Sequence, residues 1–123
     1  MSKIQKIVFQ NVPLQNGVVQ EKVILSYQLF GQPVGSAPLV VVNHALTGNS
    51  HVIGENGWWQ SLIGDDKIID TKKYAVLAFN IPGNGYQDEE NLIENYQDLT
   101  TYDVANLLVT KIVKTMHFSA FCF

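Results

Sequence analysis

The residues best suited to chemistry lie together, directly after an aliphatic run. Leu39-Val40-Val41-Val42 is followed by Asn43-His44-Ala45-Leu46-Thr47-Gly48-Asn49-Ser50-His51. A strand that ends in a tight turn of small residues can aim backbone N–H groups into a cleft. Acyl transfer needs such donors, because its tetrahedral intermediate carries negative charge on the former carbonyl oxygen. One fixed donor there is worth about 3–4 kcal/mol of transition-state stabilisation.

Other chemistry in the same stretch is weaker. Ser50, in Gly48-Asn49-Ser50-His51-Val52, approaches a Gly-x-Ser-x-Gly elbow but lacks the second glycine. Ser2, Ser26, Ser36, Ser61 and Ser119 lie in no such elbow. His44 and His51 could share a metal, yet no carboxylate or cysteine nearby completes a zinc set. A structural histidine in a turn is the better reading of His44, and no metal is expected. Cys122, the single cysteine, has only His117 near it in sequence, so a buried thiol is expected rather than a nucleophile. Asp88, Glu89, Glu90, Glu94 and Asp98 lack calcium-loop spacing and read as a solvated loop before a helix. Trp58 and Trp59 read as core or groove-wall residues rather than a ligand platform.

Composition bounds the rest. The 123 residues suffice for one domain. Hydrophobic residues make up 46% and charged residues 15%, a globular composition. A net charge of -3 and a pI near 5.4 leave no basic field for nucleic acid or an anionic membrane. One cysteine forbids an internal disulfide and fits a reducing compartment. No leader-like or membrane-spanning apolar run is visible, so a cytoplasmic protein is expected.

The elements that must position the turn follow from hydrophobic pattern. Residues 6–10 and 23–30 read as strands joined through the Asn16-Gly17 turn signal, giving an antiparallel pair. Residues 31–38, with two glycines and two prolines, form a loop. Residues 39–42 and 74–79 are aliphatic runs without polar alternation, as expected of strands buried on both faces of a parallel sheet. Residues 57–63 are a short helical candidate between them. A longer helix is expected over residues 101–115. Thr100 would be its N-cap, Asp103 would sit at N3, and Leu99 and Val104 would form a hydrophobic staple. Val104, Leu107, Leu108 and Ile112 form its apolar stripe. Strands alternating with helices predict an α/β fold with a mixed, mostly parallel sheet and an antiparallel N-terminal strand pair. Active sites of such sheets lie at the carboxyl ends of strands, which singles out residues 43–50 and 80–86.

With these elements in place, several motifs combine. His44-Ala45-Leu46-Thr47-Gly48, His51, Gly57-Trp58-Trp59, Leu62-Ile63-Gly64, Ile69-Asp70-Thr71 and Tyr74 resemble the homoserine O-acetyltransferase family, over roughly residues 18–112. The resemblance implies an α/β-hydrolase fold. It also implies transfer of an acetyl group from acetyl-CoA to the hydroxyl of homoserine, a step of methionine biosynthesis. The Leu46 backbone N–H would be an oxyanion donor, with His44, Ala45, Thr47 and Gly48 shaping the turn. Trp58 and Trp59 would pack beneath the site. No bound cofactor is implied; acetyl-CoA would be a substrate, and the full enzyme leaves room for a homodimer.

The family's serine nucleophile, aspartate and histidine come later in chain order and match no position here. The expectation is therefore a single partial domain, residues 1–123, lacking the nucleophile elbow and inactive alone. The aromatic tail over residues 116–123 does not resemble the family's approach to that elbow. The loop after residue 79 reads Asn80-Ile81-Pro82-Gly83-Asn84-Gly85-Tyr86 in place of the family's longer glycine-rich stretch. That departure at residues 82–86 keeps open an esterase or thioesterase. An open sheet keeps open a non-catalytic remnant that associates through its edge.

Overall fold

A computed structural model describes residues 2–45, 47–112 and 121–122. β1 (Gln5–Pro13) and β2 (Val19–Gly31) form a hairpin, paired antiparallel from Gln5 with Tyr27 to Pro13 with Val19. Its turn closes where Gly17, at φ 90°, donates to the Leu14 carbonyl oxygen and Leu14 donates to Val18. Positive φ is the conformation glycine adopts at little steric cost, which is why the Asn-Gly signal was informative.

β3 (Leu39–Val42) follows the proline-containing loop, and then come two short strands, β4 (Ile63–Gly64) and β5 (Ile69–Asp70), parallel to each other. β6 (Ala75–Phe79) enters between β2 and β3, antiparallel to the first and parallel to the second. β7 (Phe121–Cys122) pairs parallel with β3. The order is β1-β2-β6-β3-β7, a mixed sheet with two antiparallel and two parallel pairings.

β6 is buried throughout, as its apolar sequence requires, and it separates two layers of core. Ala75, Leu77 and Phe79 face Leu25, Tyr27, Leu39 and Leu108. Val76 and Ala78 face the opposite side, against Val42, Val52 and Ile63. Burying each large side chain contributes about 1.5–3 kcal/mol. β3 departs from the expectation of burial on both faces: Leu39 and Val42 are buried, but Val40 and Val41 only partly so. Val41 borders a cavity rather than a packed helix.

Two helical expectations need correction. Residues 57–63 form hydrogen-bonded turns, not a helix; Ile63 already belongs to β4. The run closes one turn, with Gln60 donating to Gly57 and Ile63 to Trp59, too few bonds to offset helix nucleation. The later helix, α1, is α-helical only over Thr101–Ala105 and continues as a π-helix over Asn106–Ile112. Its N-cap is as read from sequence. Thr100 accepts from the Asp103 N–H, and the Asp103 carboxylate accepts from the Thr100 N–H, a reciprocal capping box. Leu107 and Leu108 are buried in two different clusters, which places the stripe over both hairpin and sheet. The expected helical continuation past residue 112, the Ile112 side chain, and the tail's side chains, including the Cys122 thiol and His117, lie outside the described residues.

Candidate active site

The two loops singled out by the strand-end rule do come together. The loop after β3 turns at residues 45–48, closed by the Gly48 N–H donating to the Ala45 carbonyl oxygen at 2.9 Å. His44 is buried, Ala45 and Thr47 are exposed, and Gly48 is partly buried. Leu46, the residue expected to supply the oxyanion donor, lies outside the described residues.

His44 connects the turn to the loop after β6. Its Nε2 accepts from the Ile81 N–H at 2.9 Å, and its Nδ1 lies 2.5 Å from the Ala45 carbonyl oxygen. A ring nitrogen that accepts carries no proton, so the bond from Ile81 leaves the hydrogen on Nδ1, directed at Ala45. His44 thus has a protein partner for each ring nitrogen. His51 is separate, with Nε2 2.8 Å from the Glu55 carbonyl oxygen. Among the described residues no group of three or more His, Cys, Asp or Glu side chains could hold a metal.

A second connection surrounds Ser50. Its N–H donates to Asn80 Oδ1 at 2.7 Å, and its Oγ donates to Gln28 Oε1 at 2.6 Å. Asn80 Nδ2 donates to Ser50 Oγ and to Ser26 Oγ, at 3.0 and 2.9 Å. All four residues are buried. Ser50 therefore spends its proton on an amide, with no histidine partner, and is a structural residue. Sequence reasoning missed this network. A signal was present: Ser26 and Gln28, two apart, interrupt the apolar β2, and Asn80 ends an apolar strand.

The tryptophans depart from their expected place. Trp58 and Trp59 are 38% and 40% exposed, their rings tilted at 44° with centroids 4.8 Å apart. Both fall on a turn, which cannot direct two successive bulky side chains inward. The Trp58 indole N–H donates to the Asn49 carbonyl oxygen at 2.9 Å, bracing the loop from outside.

Beside these loops lies a cavity of about 540 Å³. Val41 and Asn43 border it from β3 and its loop, Phe79, Ile81 and Asn84 from β6 and its loop, and Leu108 from the helical segment. Its far wall includes Tyr96, from the stretch read as a solvated acidic loop, and Leu99, expected as a staple residue. That stretch is more ordered than expected. It holds 3-10 turns at Glu89–Asn91 and Tyr96–Asp98, and Asp88 both caps the first and pairs with Lys6. No described helix is long and apolar enough to cross a membrane.

No family model matches the chain. The homoserine O-acetyltransferase of Sulfurimonas autotrophica is 33% identical over 110 residues, 82% of this chain and 30% of that protein. The crystal structure of homoserine O-acetyltransferase from Bacillus anthracis superposes with a TM-score of 0.80 at 22% identity, covering 97% of this chain and 38% of that one. The acetyl esterase MekB superposes with a TM-score of 0.76 at 17% identity, covering 97% and 35%. A turn after β3, a mixed sheet and these superpositions define an α/β-hydrolase fold. Within that class, the chain is related in sequence to the homoserine O-acetyltransferases. It spans about a quarter of the length of the curated relatives it matches.

Proposed function

We infer that this chain forms part of an acyl-transfer site of the homoserine O-acetyltransferase type, in which the turn after β3 supplies an oxyanion donor. The observation that carries the reading is the turn at residues 45–48, fixed through His44 to the end of β6, whose following loop borders, with Asn43, a cavity at the strands' carboxyl ends. Leu46 would give its backbone N–H to the oxyanion, while His44, Ala45, Thr47 and Gly48 hold the turn. An acyl-CoA would donate, with acetyl-CoA as the first choice and the hydroxyl of homoserine as acceptor. The full mechanism would be ping-pong through a serine ester. Residues 1–123 would be a partial domain, inactive alone, acting in the cytoplasm as part of an enzyme that forms a homodimer.

The esterase or thioesterase reading rests on residues 82–86, where the loop departs from the family pattern. Two measurements separate these outcomes. Free CoA release by this chain with acetyl-CoA and homoserine should not rise above background; serine-dependent turnover overturns the inactive reading. Residues 18–112 should then replace the matching segment of a homoserine O-acetyltransferase. Acceptor-dependent CoA release by that chimera supports acetyl transfer, whereas release independent of homoserine favours hydrolysis.

A further inference from the structure

We propose that Asn84 is a modification site: with Gly85 it closes a succinimide, losing its side-chain amide, ahead of the two other Asn-Gly pairs in the chain. The proposal goes beyond the acyl-transfer reading and does not depend on it.

Asn-Gly occurs three times, at Asn16-Gly17, Asn56-Gly57 and Asn84-Gly85. Glycine has no Cβ, so its backbone nitrogen can swing close to the preceding side chain. In the reaction the glycine nitrogen bonds to the asparagine Cγ, and the Cγ–Nδ2 bond breaks. The glycine's amide proton leaves with Nδ2 as ammonia. Solvent water then opens the five-membered ring at either carbonyl, its hydroxyl going to carbon and its proton to nitrogen. The products are aspartate and isoaspartate. A glycine N–H already given to an acceptor must surrender that bond before its nitrogen can attack.

The fold withholds the nitrogen at two of the three pairs. Gly17 donates to the Leu14 carbonyl oxygen at 3.0 Å, and Gly57 donates to that of Gly54 at 2.9 Å. Asn16 is held further, since its Nδ2 donates to Asp98 Oδ1 at 3.1 Å. Gly57 is pressed against the Ile53 backbone, where an added Cβ would meet the Ile53 carbonyl carbon at 2.5 Å. At the third pair the Gly85 N–H has no acceptor among the described residues. The Asn84 side chain is folded over that nitrogen, because its Oδ1 accepts from the Tyr86 N–H at 3.0 Å. Such an Asx turn brings Cγ over the intervening glycine. Asn16 makes the same turn with Val18, so the turn alone does not separate the pairs; the glycine N–H does. The leaving nitrogen of Asn84 is weakly held: Nδ2 reaches Asn80 Oδ1 at 3.4 Å, beyond the usual range of a hydrogen bond. Both residues are partly buried, and Asn84 borders the cavity, which gives water a route. A carboxylate at position 84 has no hydrogen to give, so its oxygen would face Asn80 Oδ1 acceptor to acceptor. That same Oδ1 accepts the Ser50 N–H. The conversion therefore strikes the buried network at the end of β6, from within the stretch of residues 82–86 that departs from the family pattern.

The test uses the unaltered chain, held in mildly alkaline buffer made with oxygen-18 water and mapped by peptide mass spectrometry over time. The label marks conversion that precedes digestion. In the folded chain, aspartate plus isoaspartate at position 84 should form at least about fivefold faster than at positions 16 or 56, the factor of one hydrogen bond withheld at the glycine. In urea that preference should fall away, because the turns are lost. Asn84→Gln, whose longer side chain would need a six-membered ring, should stop ammonia loss there and leave the other two rates unchanged. Conversion at position 16 or 56 as fast as at 84 in the folded chain overturns the proposal. So does an equal preference in urea, which would place the cause in local sequence. Aspartate without isoaspartate at position 84 overturns it too, because direct hydrolysis skips the ring. If Asn84→Gln does not fold, the folded and urea-treated rates of the unaltered chain decide alone.

Discussion

The two ends of β6 are built on different principles. At the end where the strand begins, the side chains of Asp70 and Thr71 make contacts short in sequence, beside bonds from the Gln32 N–H and side-chain amide to the Tyr74 and Thr71 carbonyl oxygens. Asp70 Oδ1 accepts from the Asp66 and Lys72 N–H groups, and Thr71 Oγ1 donates to Asp65. The Asp70 carbonyl oxygen receives the Lys73 and Tyr74 N–H groups. At the end where the strand finishes, the partners are far apart in the chain. Ser26 meets Asn80, Ser50 meets Gln28, and His44 meets Ile81. The first arrangement is a local staple that the chain can form by itself. The second exists only after the sheet has assembled, and its groups are buried. Both ends carry residues of the family resemblance, Ile69-Asp70-Thr71 at one and His44-Ala45-Leu46-Thr47-Gly48 at the other. Their roles differ: one holds the fold, the other places the candidate site.

If that contrast holds, damage at the finishing end should cost most. Asn80→Leu removes the acceptor of the Ser50 N–H and the donor to Ser50 Oγ and Ser26 Oγ, leaving the buried Ser50 N–H unpaired while Ser50 Oγ keeps Gln28. Urea denaturation should show a loss of about 3–4 kcal/mol. An effect below that of the next variant would break the comparison. At the starting end, Gly31→Ala places a side chain against the Tyr74 carbonyl oxygen at a φ of 77°. It should cost about 2 kcal/mol through strain and displacement of that loop.

The smallest effect concerns acid. Asp70 is held below the ordinary carboxylate range, first by the backbone N–H of Lys72, then by that of Asp66, with the Lys73 and Lys72 charges adding. A carboxylate with a depressed folded pKa stabilises the protein fully above its unfolded value, about 3.9. That contribution disappears as pH falls through the lower folded value. Asp70→Asn should therefore flatten the acid limb of thermal stability below about pH 4, without changing the slope near neutrality. An unchanged acid limb would sharpen the contrast by leaving the staple to its backbone bonds alone.

The sequence made the sheet legible because its strongest signals were local. Residues 75–79 contain nothing but apolar side chains, and an all-apolar stretch of that length has few other uses. Thr100 and Asp103 could be paired by spacing alone, since both partners lie in one turn. The helical continuation after Ala105 was less legible, because an apolar stripe does not distinguish an α-helix from the π-helix found there. The turn at residues 45–48 was also visible, as small residues directly after a strand. What holds that turn was not. Ser26 and Asn80 are separated by 54 positions, and no periodicity connects them. Trp58 and Trp59 misled for a related reason: hydrophobicity predicts burial on average, but a turn exposes successive side chains whatever their chemistry.

The placement of β6 between β2 and β3 has a consequence for how the chain is born. On a ribosome, the hairpin of β1 and β2 emerges first and can close at once. β3 emerges next with neither sheet neighbour yet made, since both β6 and β7 come later in the chain. Until Ala75–Phe79 has left the exit tunnel, Leu39–Val42 is a bare apolar strand. Long-range pairing of this kind is slow and exposed to aggregation. A synthesis pause before Ala75 should therefore lower the soluble yield more than an equal pause after Phe79.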